Sequence, residues 1–194
     1  ASKNPMAQRE SRHSYSISLE QGEITNQKQS GRCWMFAALN TFRFEVMKNL
    51  NLKTFELSQN YTLFYDKLEK SNYFLESILE TLDEPTQERL ISFLLSAPLG
   101  DGGQWDMLCN LVRKYGVVPK EAMPETVSSS ATREMTSALT RKLREDACRL
   151  RKAYADGSTL DELRKKKEAM MEEIYRVLCI CLGEPPKTFD LEVT

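Results

Sequence analysis

The stretch Asn26-Gln27-Lys28-Gln29-Ser30-Gly31-Arg32-Cys33-Trp34-Met35-Phe36-Ala37-Ala38 is where a polar loop runs into an apolar helix. Gly31 offers a turn. From Cys33 to about Asn49, apolar side chains return every three or four positions, at Phe36, Leu39, Phe42 or Arg43, Val46 and Leu50. That spacing predicts an amphipathic helix starting at or just after Gly31, with Cys33 on its first turn. Unpaired amides and the positive end of the macrodipole lie there, and both favour a thiolate over a thiol. The thiolate fraction in turn controls cysteine reactivity. Gln27, six residues upstream, can fold back so that its carboxamide points at the same space. With the backbone N–H of Cys33 it forms a donor pair for a developing oxyanion. Trp34 shields that space from water. Taken singly, a cysteine at a helix start also reads as a small buried hydrophobe; the residues around Cys33 tip the reading towards chemistry.

Outward from this stretch the chain divides into four segments. Residues 1–25 form an irregular N-terminal segment in which Tyr15, Ile17 and Leu19 alternate with serines, the period of a short strand. Residues 26–124 read as a helical body. After the first helix, a second starts at Ser58, whose hydroxyl caps it, and runs to about Lys70, with 72–82 continuing helical. Pro85 suits the first turn of a helix over 85–96, capped by Asp83 or Glu84. Pro98 to Gly103 is a loop, and Gln104 to Tyr115 a further helix closed by Gly116. Residues 125–186 hold two long helical periodicities, Met135-Leu139-Leu143-Ala147-Leu150-Tyr154 and Leu160-Leu163-Met170-Ile174-Val177-Cys181. Between them lies Asp156-Gly157-Ser158, and Thr159 with Glu162 makes a capping box. Together they predict an antiparallel helical hairpin. Residues 187–194 are a tail, and the class is mostly α.

The bulk properties narrow the function. The 194 residues carry Lys+Arg 27 against Asp+Glu 28, a net charge of −1, which excludes a uniformly basic surface for nucleic acid. No run approaches the about 18 apolar residues of a membrane span, and Ala1 to Arg12 has no signal-peptide core. Five cysteines without regular spacing fit free thiols in a reducing cytosol. Cys179 and Cys181 lie two apart on a helix and so point to different faces, which argues against chelation. No metal is expected, and no cofactor, since Asp101-Gly102-Gly103 lacks the lysine of a phosphate loop. The chain holds one histidine, His13.

With these residues in view, the chain resembles the papain-type cysteine peptidases, and more closely their bleomycin hydrolase / aminopeptidase C branch. Residues 25–37 match the branch pattern Thr-Asn-Gln-Lys-x-Ser-Gly-Arg-Cys-Trp-x-Phe-Ala throughout. Asp101-Gly102-Gly103-Gln104-Trp105 matches its Gly-Gly element, and Tyr115-Gly116-Val117-Val118-Pro119 the loop after the next helix. The resemblance covers about residues 14–194. It implies the helical (left) lobe of the papain-like α+β fold, with the 125–186 hairpin as an insertion and a β-rich second lobe not in this chain. It also implies peptide hydrolysis through an acyl-enzyme, with Cys33 as nucleophile and Gln27 in the oxyanion hole. Trp34, Gly102 and Gly103 would line the peptide substrate, bare backbone at the glycines pairing with it. Ser30 stands where the papain pattern has a disulfide-forming cysteine, consistent with an intracellular, cytoplasmic member.

The family order is cysteine, histidine, asparagine, and His13 precedes Cys33, so it does not fill the role of base. The resemblance places the catalytic histidine and asparagine in the second lobe, after Thr194, and further family residues before Ala1. This chain alone is then expected to be inactive. Family members form homohexameric rings with aminopeptidase specificity. A competing reading is a non-catalytic helical interaction or nucleic-acid-binding module, using Lys165-Lys166-Lys167 and Arg141, Lys142 and Arg144 on phosphates. Asp161, Glu162, Glu168, Glu172 and Glu173 surround those lysines at helical pairing distances, which favours a solvated charged face. Lys167 falls on the apolar stripe of its helix, where it either snorkels or marks an exposed turn.

Overall fold

The computed structural model describes residues 14–17 and 22–192. Those residues build α1 (Cys33–Leu50), α2 (Gln59–Glu80), α3 (Arg89–Ser96), α4 (Trp105–Tyr115), a 3-10 turn (Lys120–Ala122), α5 (Val127–Ser130), α6 (Arg133–Ala155) and α7 (Leu160–Leu182). Among the described residues there is no strand. Backbone pairing between distant segments is confined to two isolated bridges, Gln29 with Ala131 and Leu57 with Pro119. The alternation predicted as a strand does not form one over residues 14–17, where Tyr15 and Ile17 are exposed. Among the described residues no other extended segment pairs with it to take its backbone hydrogen bonds. Leu19 lies outside the described residues.

Helix α2 is the central rod, and every other long helix packs on it. Ser58 caps it, accepting from the Tyr61 amide at 3.0 Å while its own hydroxyl donates to the Met123 carbonyl. It runs unbroken to Glu80, joining two predicted pieces. Helix α3 starts four residues later than the proline suggested. The amides of Glu84 and Glu88 donate to the Thr81 and Pro85 carbonyls in consecutive turns. Arg151 of α6 holds that turn segment by donating to the Thr81 carbonyl at 2.9 Å and to the Glu84 carbonyl. A tertiary contact has overridden the local helix signal.

The hairpin forms as its periodicity predicts. Gly157 takes φ +94° in the turn, and the Thr159–Glu162 box closes with the Thr159 amide donating to Glu162 at 2.8 Å. Leu139, Leu143, Ala147 and Leu150 of α6 face Leu163, Met170 and Ile174 of α7, all in one cluster with Phe64, Phe74, Leu75 and Ile78 of α2. Met35 and Leu39 of α1 and Leu108 of α4 join the same cluster. The last two turns of α7 differ from the predicted stripe. Leu178 and Leu182 are buried, following Ile174 at intervals of four, whereas Val177 and Cys181 sit at the flank. Lys167 neither snorkels into water nor marks an exposed turn: it is buried, and its ammonium donates to Glu76 of α2.

Candidate active site

The loop before α1 is closed on itself by its own polar atoms. Ser30 Oγ donates to the Gln27 carbonyl at 2.6 Å, and Gln27 Nε2 donates to the Ser30 carbonyl at 2.6 Å. Lys28 adopts φ +53°, its amide donating to Asn26 Oδ1 at 2.8 Å. Arg32 is wholly buried and ties the loop to the chain ahead of α5. Its Nε donates to Ser30 Oγ at 2.8 Å, and its two terminal nitrogens form a fork on Glu125 at 2.9 and 2.7 Å. Forked guanidinium–carboxylate pairs are among the stronger and more directional protein contacts. Cys33, the next residue, is the first of α1 and is exposed. No side chain caps this helix, and no acidic residue lies in its first turn.

The second half of the site is the loop between α3 and α4. Trp34 Nε1 donates to the Asp101 carbonyl at 2.8 Å. The Gly31 amide donates to Asp101 Oδ2 at 3.0 Å, and the Thr132 hydroxyl donates to the same oxygen. Lys67 of α2, fully buried, donates from Nζ to Asp101 Oδ1 and to the Gly100 carbonyl, both at 2.7 Å. One turn along, Lys70 donates to the Gly102 carbonyl at 2.7 Å, to Gly100 at 3.1 Å and to Asp66 at 2.9 Å, with its ammonium 5.5 Å from the centre of the Trp34 ring. Two lysines on one helix face thus hold the carbonyls of this loop from behind.

Two glycines are demanded by closeness. A Cβ on Gly103 would stand 2.5 Å from the Trp34 ring, and one on Gly31 would stand 2.7 Å from Asp101 Cβ. Gly102, by contrast, has open space on that side.

The charges here titrate in opposite directions. Burial raises the Asp101 carboxyl, but the Lys67 charge and the hydrogen bonds from Lys67, Thr132 and Gly31 outweigh it, leaving it well below the usual carboxylate range. For the nearly buried Asp66, burial wins over Lys67 and Lys70, and its pKa is raised. Burial also lowers Lys70, against the pull of Asp66.

The residues named from sequence are thus partly assembled. Trp34 touches Gly103 and bonds Asp101, which puts the Gly102–Gly103 backbone beside the residue after Cys33. The Gln27 carboxamide spends one N–H on its own loop; an amide nitrogen carries a second. His13 lies outside the described residues. Sequence reasoning missed Lys67, Lys70, Asp66 and the Arg32–Glu125 fork. The available signal was Asp66-Lys67 standing between Leu63-Phe64 and Ser71, with Phe74 and Leu75 beyond, charges inside an apolar helical stripe.

Three of the six basic residues weighed as a phosphate-binding face are committed elsewhere. Lys142 pairs with Asp146 and Glu173, Arg144 donates to the carbonyls of Leu95 and Ser96, and Lys167 is buried against Glu76. Among the described residues, no group of three or more His, Cys, Asp or Glu is placed to hold a metal, and no helix is long and apolar enough to cross a membrane.

Known proteins resemble this chain in sequence, and one solved structure resembles it in fold. Aminopeptidase C of Listeria monocytogenes is 52% identical over 192 residues, covering 99% of this chain and 43% of that protein. Human bleomycin hydrolase is 49% identical over 180 residues, covering 92% of this chain and 40% of that protein. The crystal structure of PepW from Lactobacillus rhamnosis superposes with a TM-score of 0.93 at 51% identity, covering 98% of this chain and 43% of that one. The chain therefore spans less than half the length of each of these relatives. The Peptidase C1-like family matches residues 1–194, and with identities near one half on both the aminopeptidase C and bleomycin hydrolase sides, the chain belongs to that family.

Proposed function

We propose that this chain is the nucleophile-bearing, helical lobe of a papain-like cysteine aminopeptidase. The observation that carries it is Cys33, exposed at the uncapped start of α1, next to an indole held against Gly103 and the Asp101 carbonyl. Family membership and the names of the relatives support the same reading.

In this reading the peptide lies extended along Gly102–Gly103, and Cys33 Sγ attacks its carbonyl carbon. The oxyanion that forms takes hydrogen bonds from the Cys33 amide and from the free N–H of Gln27. A histidine first holds the thiol proton and then gives it to the departing amine, leaving a thioester on Cys33. Water, deprotonated by the same histidine, then hydrolyses that thioester. The histidine and the asparagine that orients it belong to a β-rich second lobe outside these 194 residues. We further propose a cytoplasmic homohexamer acting on the N-terminal residues of peptides.

The test is hydrolysis of an amino-acid fluorogenic amide. The 194-residue chain alone is expected to be inactive, and mixing it with the complementary lobe to restore activity that Cys33→Ala abolishes. Full activity of the isolated chain would overturn the two-lobe reading; activity that survives Cys33→Ala in the mixture would overturn the nucleophile.

A further inference from the structure

We propose that Asp101 is a positioning residue, a single half-buried carboxylate that keeps the peptide-binding backbone in register with the turn that aims Cys33. The inference rests on the reading of Cys33 as nucleophile and adds a residue that this reading does not use.

The argument is one of connectivity. Oδ2 of Asp101 accepts from the Gly31 amide at 3.0 Å, two residues before Cys33, and from Thr132. Oδ1 accepts from Lys67 at 2.7 Å, with the Thr136 hydroxyl at 3.4 Å. The carbonyl of the same residue accepts the Trp34 indole N–H at 2.8 Å, one residue after Cys33. Asp101 therefore grips the chain on both sides of the nucleophile while being joined by peptide bonds to Gly102 and Gly103. Its far side is anchored to the middle of α2 and to the start of α6.

An ion pair serving stability alone would need only Lys67. The bonds to Gly31 and Trp34 do nothing for Lys67 and define the distance between sulfur and substrate backbone. That distance matters because a misplacement of about 1 Å at a reacting centre can cost on the order of 100-fold in rate. Gly31 and Gly103 fit the same picture: each is a glycine because a Cβ would force apart the surfaces Asp101 draws together.

The experiment separates positioning from scaffolding in the active two-lobe peptidase. Asp101→Asn takes from the buried Lys67 its 2.7 Å carboxylate partner and leaves only Asp66 at 3.7 Å; Asp101→Asn with Lys67→Met removes the lysine charge as well. The single variant is expected to lose stability and at least about tenfold in kcat/KM, with kcat lowered and KM raised together. The double variant is expected to regain most of the lost Tm without regaining kcat/KM. Thr132→Val keeps the ion pair and the fold, and is expected to lower kcat/KM by about two- to fivefold. Alkylation of Cys33 by iodoacetamide, which needs no substrate, is expected to change rate in the single and double Asp101 variants.

Hydrolysis within twofold of wild type in Asp101→Asn, or recovery of both Tm and rate in the double variant, would overturn the proposal. So would alkylation unchanged in both Asp101 variants or wild-type kinetics in Thr132→Val. Hydrolysis by the parent that persists in Cys33→Ala would instead refute the peptidase reading on which it rests.

Discussion

The hairpin α6–α7 and the paired loops around Cys33 and Asp101 are held by different forces. The hairpin is an apolar seam: Leu139, Leu143, Ala147, Leu150, Leu163 and Ile174 are all inaccessible to solvent, and they pack on the apolar face of α2. The loops have almost no apolar seam of their own. They are fastened by Arg32 on Glu125, Lys67 and Lys70 on loop carbonyls, and Asp101 on Gly31 and Trp34. Apolar contact is roughly proportional to area and weakly directional, whereas charged hydrogen bonds fix angles as well as distances. A scaffold can be built from the first, but the spacing between a nucleophile and a substrate strand calls for the second. The comparison predicts that damage to the hairpin lowers stability, and damage to the loops lowers chemistry out of proportion to stability.

The sharpest way to expose that difference is Gly103→Ala. Its Cβ meets the Trp34 ring, so the ring or the loop must move, and kcat/KM in the active peptidase is expected to fall by about 100-fold with little change in Tm. Next come two deletions of similar thermodynamic size. Lys67→Ala strips a buried cation from Asp101 and Asp66 and is expected to cost about 3–5 kcal/mol in urea unfolding. Leu143→Ala leaves a cavity in the seam at about 2–5 kcal/mol. Only the lysine variant is expected to alter alkylation of Cys33 in the folded protein; equal effects from both would erase the distinction between the regions.

Acid provides a milder probe. Because the folded-state carboxyl of Asp101 titrates below its unfolded value of about 3.9, it adds stability that is complete above about pH 4 and is lost as pH falls. Asp66, shifted the other way, works against stability as pH rises through its raised folded pKa. Asp101→Asn is therefore expected to flatten the loss of Tm below about pH 4. Smallest is Lys167→Met in the hairpin. Its Glu76 partner is partly exposed and also paired with Arg164, so a side chain of similar length should change stability by less than about 1 kcal/mol.

The same division explains what could be read in advance. The hairpin, its capping box at Thr159 and its turn at Gly157 follow from local spacing and local chemistry. So does Cys33 at the head of α1, since a glycine-bearing polar loop abutting an apolar period marks a helix start. The burial of Leu178 in place of Val177 turns on a single residue of helical phase, which periodicity alone does not resolve. The delayed start of α3 depends on Arg151, nearly 70 positions away in the chain. Lys67 meeting Asp101, or Arg32 meeting Glu125, depends likewise on which segments the fold brings together. The parts of the candidate site that touch substrate in our reading were legible as a motif; the parts that hold them still were not.

Ser30 has a practical corollary. Its hydroxyl accepts a hydrogen bond from Arg32 Nε and donates one to the Gln27 carbonyl, closing the loop ahead of Cys33 by hydrogen bonds alone. All five thiols are free. Reductants such as dithiothreitol, added to keep a sulfur nucleophile usable, therefore find no cross-link here to cut. The same buffer that protects Cys33 leaves its mounting untouched.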